Sequence, residues 1–470
     1  MPIPDTVGTA APSCMTCAPD GRSGHVAAAG PAVQVMNLIR PVVAKSEFAG
    51  VSYVFGGYVR DVVMGRPPRD IDVVVLAPEG GTRLAQLIST ALAGTDVVTY
   101  GRAPVAQCVV DGVPIECCTA RRVDTAGDDP NLAALADEAA AMDFTVDALF
   151  QDIVSGSILD PGGTALADIR SGVIRTPRSA EASLSADPER LIRAIRLAAE
   201  LGFVIDKEAA AYVSTHAHDV LRAGMGRVGD ELVKLVRGPD PVRGIGLMEE
   251  TGLLAVLLPE VAALRGLDQG TIHHAKDAYE HTLDVIGSVR AELVVRLAAL
   301  LHDIGKPATR TASDTGVHFY GHEEVGAVMA AKRLRALRMP VRIRRRVCQL
   351  VRYHMSLAPR PTPRQVRRLR LRLEDDDLLL SLAHLRRADR LVHRSPDGTG
   401  IPDRIAAILA AAGPRQVPPS PLTGEEVMAA FGLGPGPEVG RLLRAAAELH
   451  AADPRLTKES ILDSLRQKQP

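Results

Sequence analysis

The rhythm of apolar and polar positions changes near residue 187. Before it, short runs of β-branched residues alternate with helical stretches. Residues 33–49 carry a helical pattern, and 51–55 form an apolar, strand-like run broken by Gly56 and Gly57. A helix is expected from near Val59, strands over 69–75 and 109–118, and helical spacing over 83–92. These elements predict a small mixed α/β head ending near Pro177. From Asp187 onward, Leu191, Ile195, Ala198 and Ala199 recur at three- and four-residue steps, and later segments keep that period. The expected class is therefore α+β, an N-terminal mixed α/β head followed by all-α domains. Breaks at 238–241 and 266–271, and Pro/Gly/Ser-rich stretches at 395–402 and 414–421, punctuate the helical part. The expected boundaries are a leader over 1–30, the head over 31–177, a helical neck over 178–270, a second helical domain over 271–395 and a C-terminal helical segment over 396–470.

A length of 470 residues allows about three domains at roughly 150 residues each. With 46% apolar and 24% charged residues, wholesale disorder is excluded. Aromatics make up 3% and Trp is absent, so the cores must be aliphatic, and the aromatic platforms of many RNA-binding modules are not expected. Lys+Arg 55 against Asp+Glu 56 leaves a net charge of −1, which excludes a globally basic coat but permits a basic patch. The richest apolar stretch, around 291–301, is interrupted by Arg296 and falls short of the roughly eighteen residues that span a bilayer. Without a secretory pattern over 1–30, a cytoplasmic location and no membrane partner are expected. Six Cys are scattered, and the adjacent Cys117 and Cys118 argue for reduced thiols. Cys14 and Cys17 form one C-x-x-C in a leader whose composition reads as disordered, at most half of a zinc site.

Side chains alternate along a strand, so Asp70 and Asp72 share a face with Ile71 opposite. Two facing carboxylates repel, and a hard divalent cation such as Mg²⁺ is their natural counter-charge. Upstream, Gly56 and Gly57 separate a strand from a helix, where backbone amides can approach a phosphate and Arg60 can add a donor fork. Gly56, Gly57, Arg60, Asp61, Gly65, Arg69, Asp70 and Asp72, taken together, resemble the signature of the class II tRNA nucleotidyltransferase and bacterial poly(A) polymerase family. The resemblance implies a catalytic, Mg²⁺-binding pair at Asp70 and Asp72, with Glu116 as a further candidate acid. It continues through Asp143 to Ala148, through Asp160 to Gly163, and through Asp187, Arg190 and Arg193. It assigns Gly56, Gly57, Arg60, Asp143, Asp187, Arg190 and Arg193 to nucleotide binding, with Asp187 and Arg190 reading the edges of cytosine and adenine. CTP and ATP are then the expected substrates. Three departures from the pattern stand out. Ala141 and Met142 replace two arginines and Asp147 an asparagine, so positive charge is lost, and Ala186 replaces a glutamate.

A second constellation follows: His281, His302, Asp303, Lys306, His322, His354 and Asp389. Imidazole and carboxylate ligands from separate helices can enclose one or two metal ions and leave positions open for water and a phosphate. His302 and Asp303 followed by Gly305, Lys306 and Pro307, with His281 before and Asp389 after, resemble the HD superfamily of metal-dependent phosphohydrolases. The extra His322 and His354 fit its two-metal variety. The resemblance implies a divalent transition metal or Mg²⁺ on these six ligands, Lys306 on phosphate, and hydrolysis of 2′,3′-cyclic or terminal phosphates. A head, a helical neck and an HD domain in this order resemble the HD-containing bacterial CCA-adding enzymes. Arginines between Lys332 and Arg372, including Arg342, Arg344, Arg345, Arg346, Arg364, Arg367, Arg368 and Arg370, offer counter-charge to RNA or form a solvated face partly neutralised by Glu374, Asp375, Asp376 and Asp377.

The expected function is addition of C and/or A to tRNA 3′ ends from CTP and ATP, with phosphoester hydrolysis in the HD domain. The departures at Ala141, Met142 and Asp147 leave two enzymatic alternatives: a transferase for a small-molecule acceptor, and a phosphohydrolase with a weakened head. A ligand-sensing RNA-binding protein is the non-enzymatic one, against which Asp70, Asp72, His302 and Asp303 argue.

Overall fold

The computed structural model describes residues 30–101, 105–122, 129–268, 277–313, 316–392, 399–413, 420–453 and 455–467. Two compact units emerge. One comprises residues up to Ser185 with Val204–Ala209, the other Ala186–Phe203 with the chain from Ala210 on. Cys14 and Cys17 lie outside the described residues.

In the first unit, β1 (Ser52–Phe55), β2 (Ile71–Val75), β3 (Val98–Tyr100), β4 (Val105–Val110), β5 (Val113–Thr119), β6 (Phe150–Asp152) and β7 (Ile158–Leu159) form one sheet. Its order is β3-β4-β5-β2-β1-β6-β7. The β2–β5 pair is parallel and the other neighbours are antiparallel. Every second side chain is buried along β4, the alternation of a sheet with one face on a core. Helices α1 (Pro31–Ala44), α2 (Gly57–Val63) and α3 (Gly80–Ala91) accompany it, and α3 packs on β4 and β5. Tyr53, Val74 and Phe150 from the sheet form a core with Leu135 and Ala139 of the helix Pro130–Ala141.

One local expectation changes. The single strand expected over 109–118 is a hairpin: Asp111 and Gly112 take positive φ (49° and 78°) and turn the chain so that Val110 faces Val113. Past Pro177, Val204 and Ile205 return to pair with Val173 and Ile174 within the first compact unit.

The second unit is helical. Arg296, which breaks the apolar run in the buried helix Leu293–Leu301, donates to the carbonyls of Val236 and Gly238 at 2.8 and 2.7 Å. It thereby satisfies the C-terminal end of the helix Met225–Arg237, where unpaired carbonyls favour a cation. Toward the C-terminus, Leu422, Val427, Leu442, Ala446, Ile461 and Leu465 make a separate small core.

Two carboxylate-bearing centres and a charged helix start

In the head, register places the chemistry. Asp72 on β2 pairs with Glu116 on the parallel β5 and with Phe55 on β1, so Asp72 and Glu116 are direct neighbours. Asp70 precedes β2 by one residue. Burial, and then the carboxylates of Asp70, Glu116 and Asp147, push Asp72 up to about 7. Gly56 has φ 71° and ψ −139°, a backbone region open essentially to glycine, and a Cβ there would stand 3.8 Å from Asp72 Oδ2. The turn therefore brings bare backbone against the acid cluster. Gln107 donates to Glu116 at 3.1 Å and orients it.

Arg60 is buried rather than splayed toward solvent. Its guanidinium folds back over Gly57 and pairs with Asp61 at 2.9 Å and Asp147 at 2.6 Å. Asp147, the residue standing where the family pattern has asparagine, thus pairs with Arg60. Asp143 lies half-buried just before the turn Thr145–Asp147. Asp160 accepts from Leu166 N–H at 3.0 Å and closes its turn with Gly163.

In the second unit, Asp187 and Arg190 stand at the start of the helix Arg190–Leu201. Arg227 grips Asp187 with both terminal nitrogens, at 2.9 and 3.3 Å, and reaches Glu189 with Nε at 2.9 Å. Although burial opposes it, Arg227 and the Glu189 N–H hold Asp187 below the usual carboxylate range. Arg193 pairs with the buried Glu189 and Glu231, and Arg196 with Glu231 at 2.6 Å. Glu189, Arg227 and Glu231 went unnoticed in the sequence. The signal available was Glu231 and Lys234 at helical spacing on the apolar-striped helix Met225–Arg237.

The histidine centre lies wholly in the second unit. His281 comes from the helix Ala278–Ser288, whose start is capped by Asp277 accepting from Glu280 N–H at 2.8 Å. His302 and Asp303 follow the helix Leu293–Leu301, His322 opens His322–Ala336, His354 opens the turn His354–Ser356, and Asp389 sits on Asp376–Val392. All six are buried. His302, His322 and His354 each direct Nδ1 at a backbone carbonyl, of Ala299, Phe319 and Val351, at 2.8, 2.8 and 2.7 Å. That contact requires Nδ1–H and leaves the Nε2 lone pairs facing inward. There His302 Nε2 lies 3.4 Å from His281 Nε2, and His322 Nε2 lies 3.2 Å from His354 Nε2. Asp303 joins the two pairs, with Oδ2 3.1 Å from His302 and Oδ1 3.4 Å from His322. His281, His302 and Asp303 form one ligand triad, and Asp303, His322 and His354 a second. Asp389 completes the first side, 3.2 Å from His281 Nε2.

Electrostatics favour the ligating forms of His354, His281 and Asp303, while His302, although burial opposes it, is raised by the Asp303 carboxylate beside it. Burial, with His302 beside it, pushes His354 down to about 3, and burial lowers His281. Burial alone would raise Asp303, but His302 and Lys306 hold it well below the carboxylate range. Lys306 Nζ stands 2.6 Å from Asp303 Oδ2, and Arg386 Nη1 2.5 Å from Asp389 Oδ2. The centre opens into a cavity of about 460 Å³ whose lining includes the ligands Asp303, His322, His354 and Asp389 and the cations Lys306, Arg386 and Arg390. Sequence reasoning missed Arg386 and Arg390, although Arg386 sits three residues before Asp389 on one helix. Gly305 lets this turn approach its neighbour, since a Cβ there would stand 2.1 Å from the His322 carbonyl oxygen.

The arginine-rich stretch is divided. Arg345, Arg346 and Arg370 meet Glu374, Asp375 and Asp376, and Arg372 meets Glu448. Arg342, Arg367 and Arg368 have no ion-pair partner among the described residues. No helix among the described residues is long and apolar enough to cross a membrane.

With this geometry in place, comparison with known proteins is informative. Residues 52–175 match the poly A polymerase head domain, 202–264 the probable RNA and SrmB-binding site of polymerase A, and 271–393 the HD domain. Over 424 residues the chain is 35% identical to the CC-adding tRNA nucleotidyltransferase of Thermus thermophilus, covering 87% of this chain and 91% of that one. It is 36% identical over 419 residues to the A-adding tRNA nucleotidyltransferase of Deinococcus radiodurans, covering 84% and 90%. The CCA-adding enzyme of Bacillus stearothermophilus, solved with CTP, shares the fold at a TM-score of 0.60 and 22% identity, over 93% of this chain and 98% of that one. The chain belongs to the class II tRNA nucleotidyltransferase and poly(A) polymerase family and carries an HD domain. Nucleotidyltransferase heads and HD domains work with divalent metal ions.

Proposed function

We propose that this protein is a template-independent nucleotidyltransferase that adds C and/or A to tRNA 3′ ends from CTP and ATP, and that its HD domain hydrolyses phosphoesters. The observation that carries the reading is the Asp72–Glu116 pair beneath the Gly56 turn, in a chain matching tRNA nucleotidyltransferases over nine-tenths of their length. A small-molecule acceptor is the less favoured use of this fold, because these relatives are named for tRNA. The proposed partition is a leader over 1–30, a head over 31–177, a neck over 178–270, an HD domain over 271–395 and a C-terminal segment over 396–470. Action on tRNA with nucleoside triphosphates implies a cytoplasmic location.

In the head, Asp70 and Asp72 would hold Mg²⁺, with Glu116 as a further acid. The fit rests on Asp72, which burial and then the carboxylates of Asp70, Glu116 and Asp147 raise, a penalty that a dication relieves. The ion would supply Lewis acidity toward the α-phosphate and the incoming 3′-hydroxyl. Gly56 and Gly57 present backbone to the triphosphate, and Arg60, fixed by Asp61 and Asp147, supports that turn. Asp143 borders the same turn as Asp147. Asp187 and Arg190 read the base edge, an acceptor beside a donor fork, with Arg227 keeping Asp187 ionised and Arg193 adding nucleotide-binding charge from the same helix. No covalent enzyme intermediate is needed, since positioning and charge stabilisation suffice for phosphoryl transfer.

In the HD domain, His281, His302, Asp303 and Asp389 on one side, and Asp303, His322 and His354 on the other, would hold a divalent transition metal or Mg²⁺. The fit rests on the converging Nε2 lone pairs. Such an ion supplies Lewis acidity toward a phosphoester. Lys306, Arg386 and Arg390 add positive charge around the cavity, which suits 2′,3′-cyclic or terminal phosphates. Turnover of labelled CTP and ATP with tRNA, with small acceptors and with none tests the reading: labelling of tRNA supports it, and labelling of a small acceptor instead refutes it.

A further inference from the structure

Beyond the metal-facing floor and the cationic wall, the HD cavity has an aromatic rim formed by Phe319 and Tyr320. The two rings are used differently. Phe319 lies beneath Lys306, whose Nζ is 5.7 Å from the ring centroid, so it supports the cation. Tyr320 is 78% exposed, buries almost nothing and serves no core. Its ring is nevertheless held in place. His318 stacks on it at 5.2 Å between centroids with planes 16° apart, and His318 ends the short strand Gly316–His318, which pairs with Thr311–Ser313. Two residues after Tyr320, His322 turns inward to the metal ligands. One short segment thus carries an inward ligand and an outward flat ring.

A phosphate alone needs the floor and the wall. The cavity's size, about 460 Å³, is that of a site for a whole small ligand, and an exposed ring at such a mouth matches the π-face of a nucleobase. Arg390, whose Nε has no hydrogen-bond partner among the described residues, lines the same cavity and has a donor to give to an anion. We propose that Tyr320 is the base-stacking shelf of the HD site, so that the site selects phosphate esters that carry a nucleobase. This rests on the phosphohydrolase reading of the HD centre. One preset tyrosine suffices for it, which accords with a chain whose composition argued against a broad aromatic platform.

The test compares adenosine 2′,3′-cyclic phosphate with the baseless cyclic phosphate of propane-1,2-diol, measuring kcat and KM for ring opening by the metal-loaded full chain. The expected result is a kcat/KM ratio favouring the nucleotide, carried in KM. Tyr320→Ala should lower the ratio by about tenfold, and Tyr320→Phe, which keeps the ring, should restore it. An RNA oligonucleotide ending in the same cyclic phosphate assigns the source. A ratio that falls for the oligonucleotide points to strand ends, and one that falls for the mononucleotide points to free nucleotides. An unchanged ratio in Tyr320→Ala, or a Phe variant as impaired as the Ala variant, overturns the shelf. Hydrolysis of neither compound by the unaltered chain overturns the phosphohydrolase reading itself.

Discussion

The head and the HD domain each hold a largely enclosed carboxylate at the heart of their chemistry, yet their surroundings push it in opposite directions. Burial, reinforced by the acids it faces, pushes the half-buried Asp72 up to about 7. Asp303 faces histidines and Lys306, and is held well below the carboxylate range. The head cluster is unbalanced until a cation arrives, since the nearby Arg60 is already bound to Asp61 and Asp147. The HD cluster is balanced by its own side chains and can be assembled before metal enters. A site that carries its counter-charge with it is a pre-formed receptor, whereas one that lacks it makes metal binding and electrostatic relief the same event.

The sharpest way to break the comparison is to remove one centre at a time. Asp72→Asn keeps the shape and should lower nucleotidyl transfer by about a thousandfold, with phosphoester hydrolysis remaining. His302→Ala should do the reverse. Loss of both activities from either change in a folded protein would contradict two separate centres. Next comes metal stoichiometry. Asp303→Asn removes the residue common to both HD triads and should abolish HD metal binding, whereas His281→Ala or His354→Ala should each leave one ion, read by elemental analysis after dialysis. A smaller effect is expected at Gly305. The alanine Cβ would meet the His322 carbonyl, so Gly305→Ala should destabilise the HD domain by about 1–3 kcal/mol in denaturant unfolding.

The smallest effect is the most diagnostic in sign. A carboxylate raised in the folded state keeps its proton after the unfolded chain has lost it. In chelator, the Asp72 contribution should therefore weaken the head as pH rises from about 4 to 7. His354 is the opposite case: lowered to about 3, it stays neutral while the unfolded chain takes up a proton, so the His354 contribution should weaken the HD domain as pH falls below about 6.5. Hydrogen exchange in β2 and in Leu293–Leu301 separates the two. Mg²⁺ should flatten the first dependence, and parallel pH trends in both segments would contradict the contrast.

Much of this was legible in the sequence because its signals are local. The period switch near Asp187 announces helices, and the alternation of Asp70, Ile71 and Asp72 announces one face of a strand. What stayed hidden depends on partners distant in sequence. Glu116 becomes the neighbour of Asp72 through a parallel pairing that no local pattern states. That Arg60 pairs with Asp147, eighty-seven residues on, is stated by no local pattern. Nor does one state how closely the Lys306 ammonium approaches Asp303. Arg227 and Asp187 meet across forty residues. The Asp111–Gly112 turn is different, since its signal was local and was overlooked inside one apolar run.

The most direct test of the central claim is to incubate purified protein and Mg²⁺ with tRNA lacking its 3′ terminus, supply CTP, ATP, both or the deoxy forms, and sequence the ends. The account predicts C, A or both added to the tRNA, from the ribonucleotides and in defined number, and lost in Asp72→Asn. Unextended tRNA ends from a protein that still binds nucleotide would contradict it.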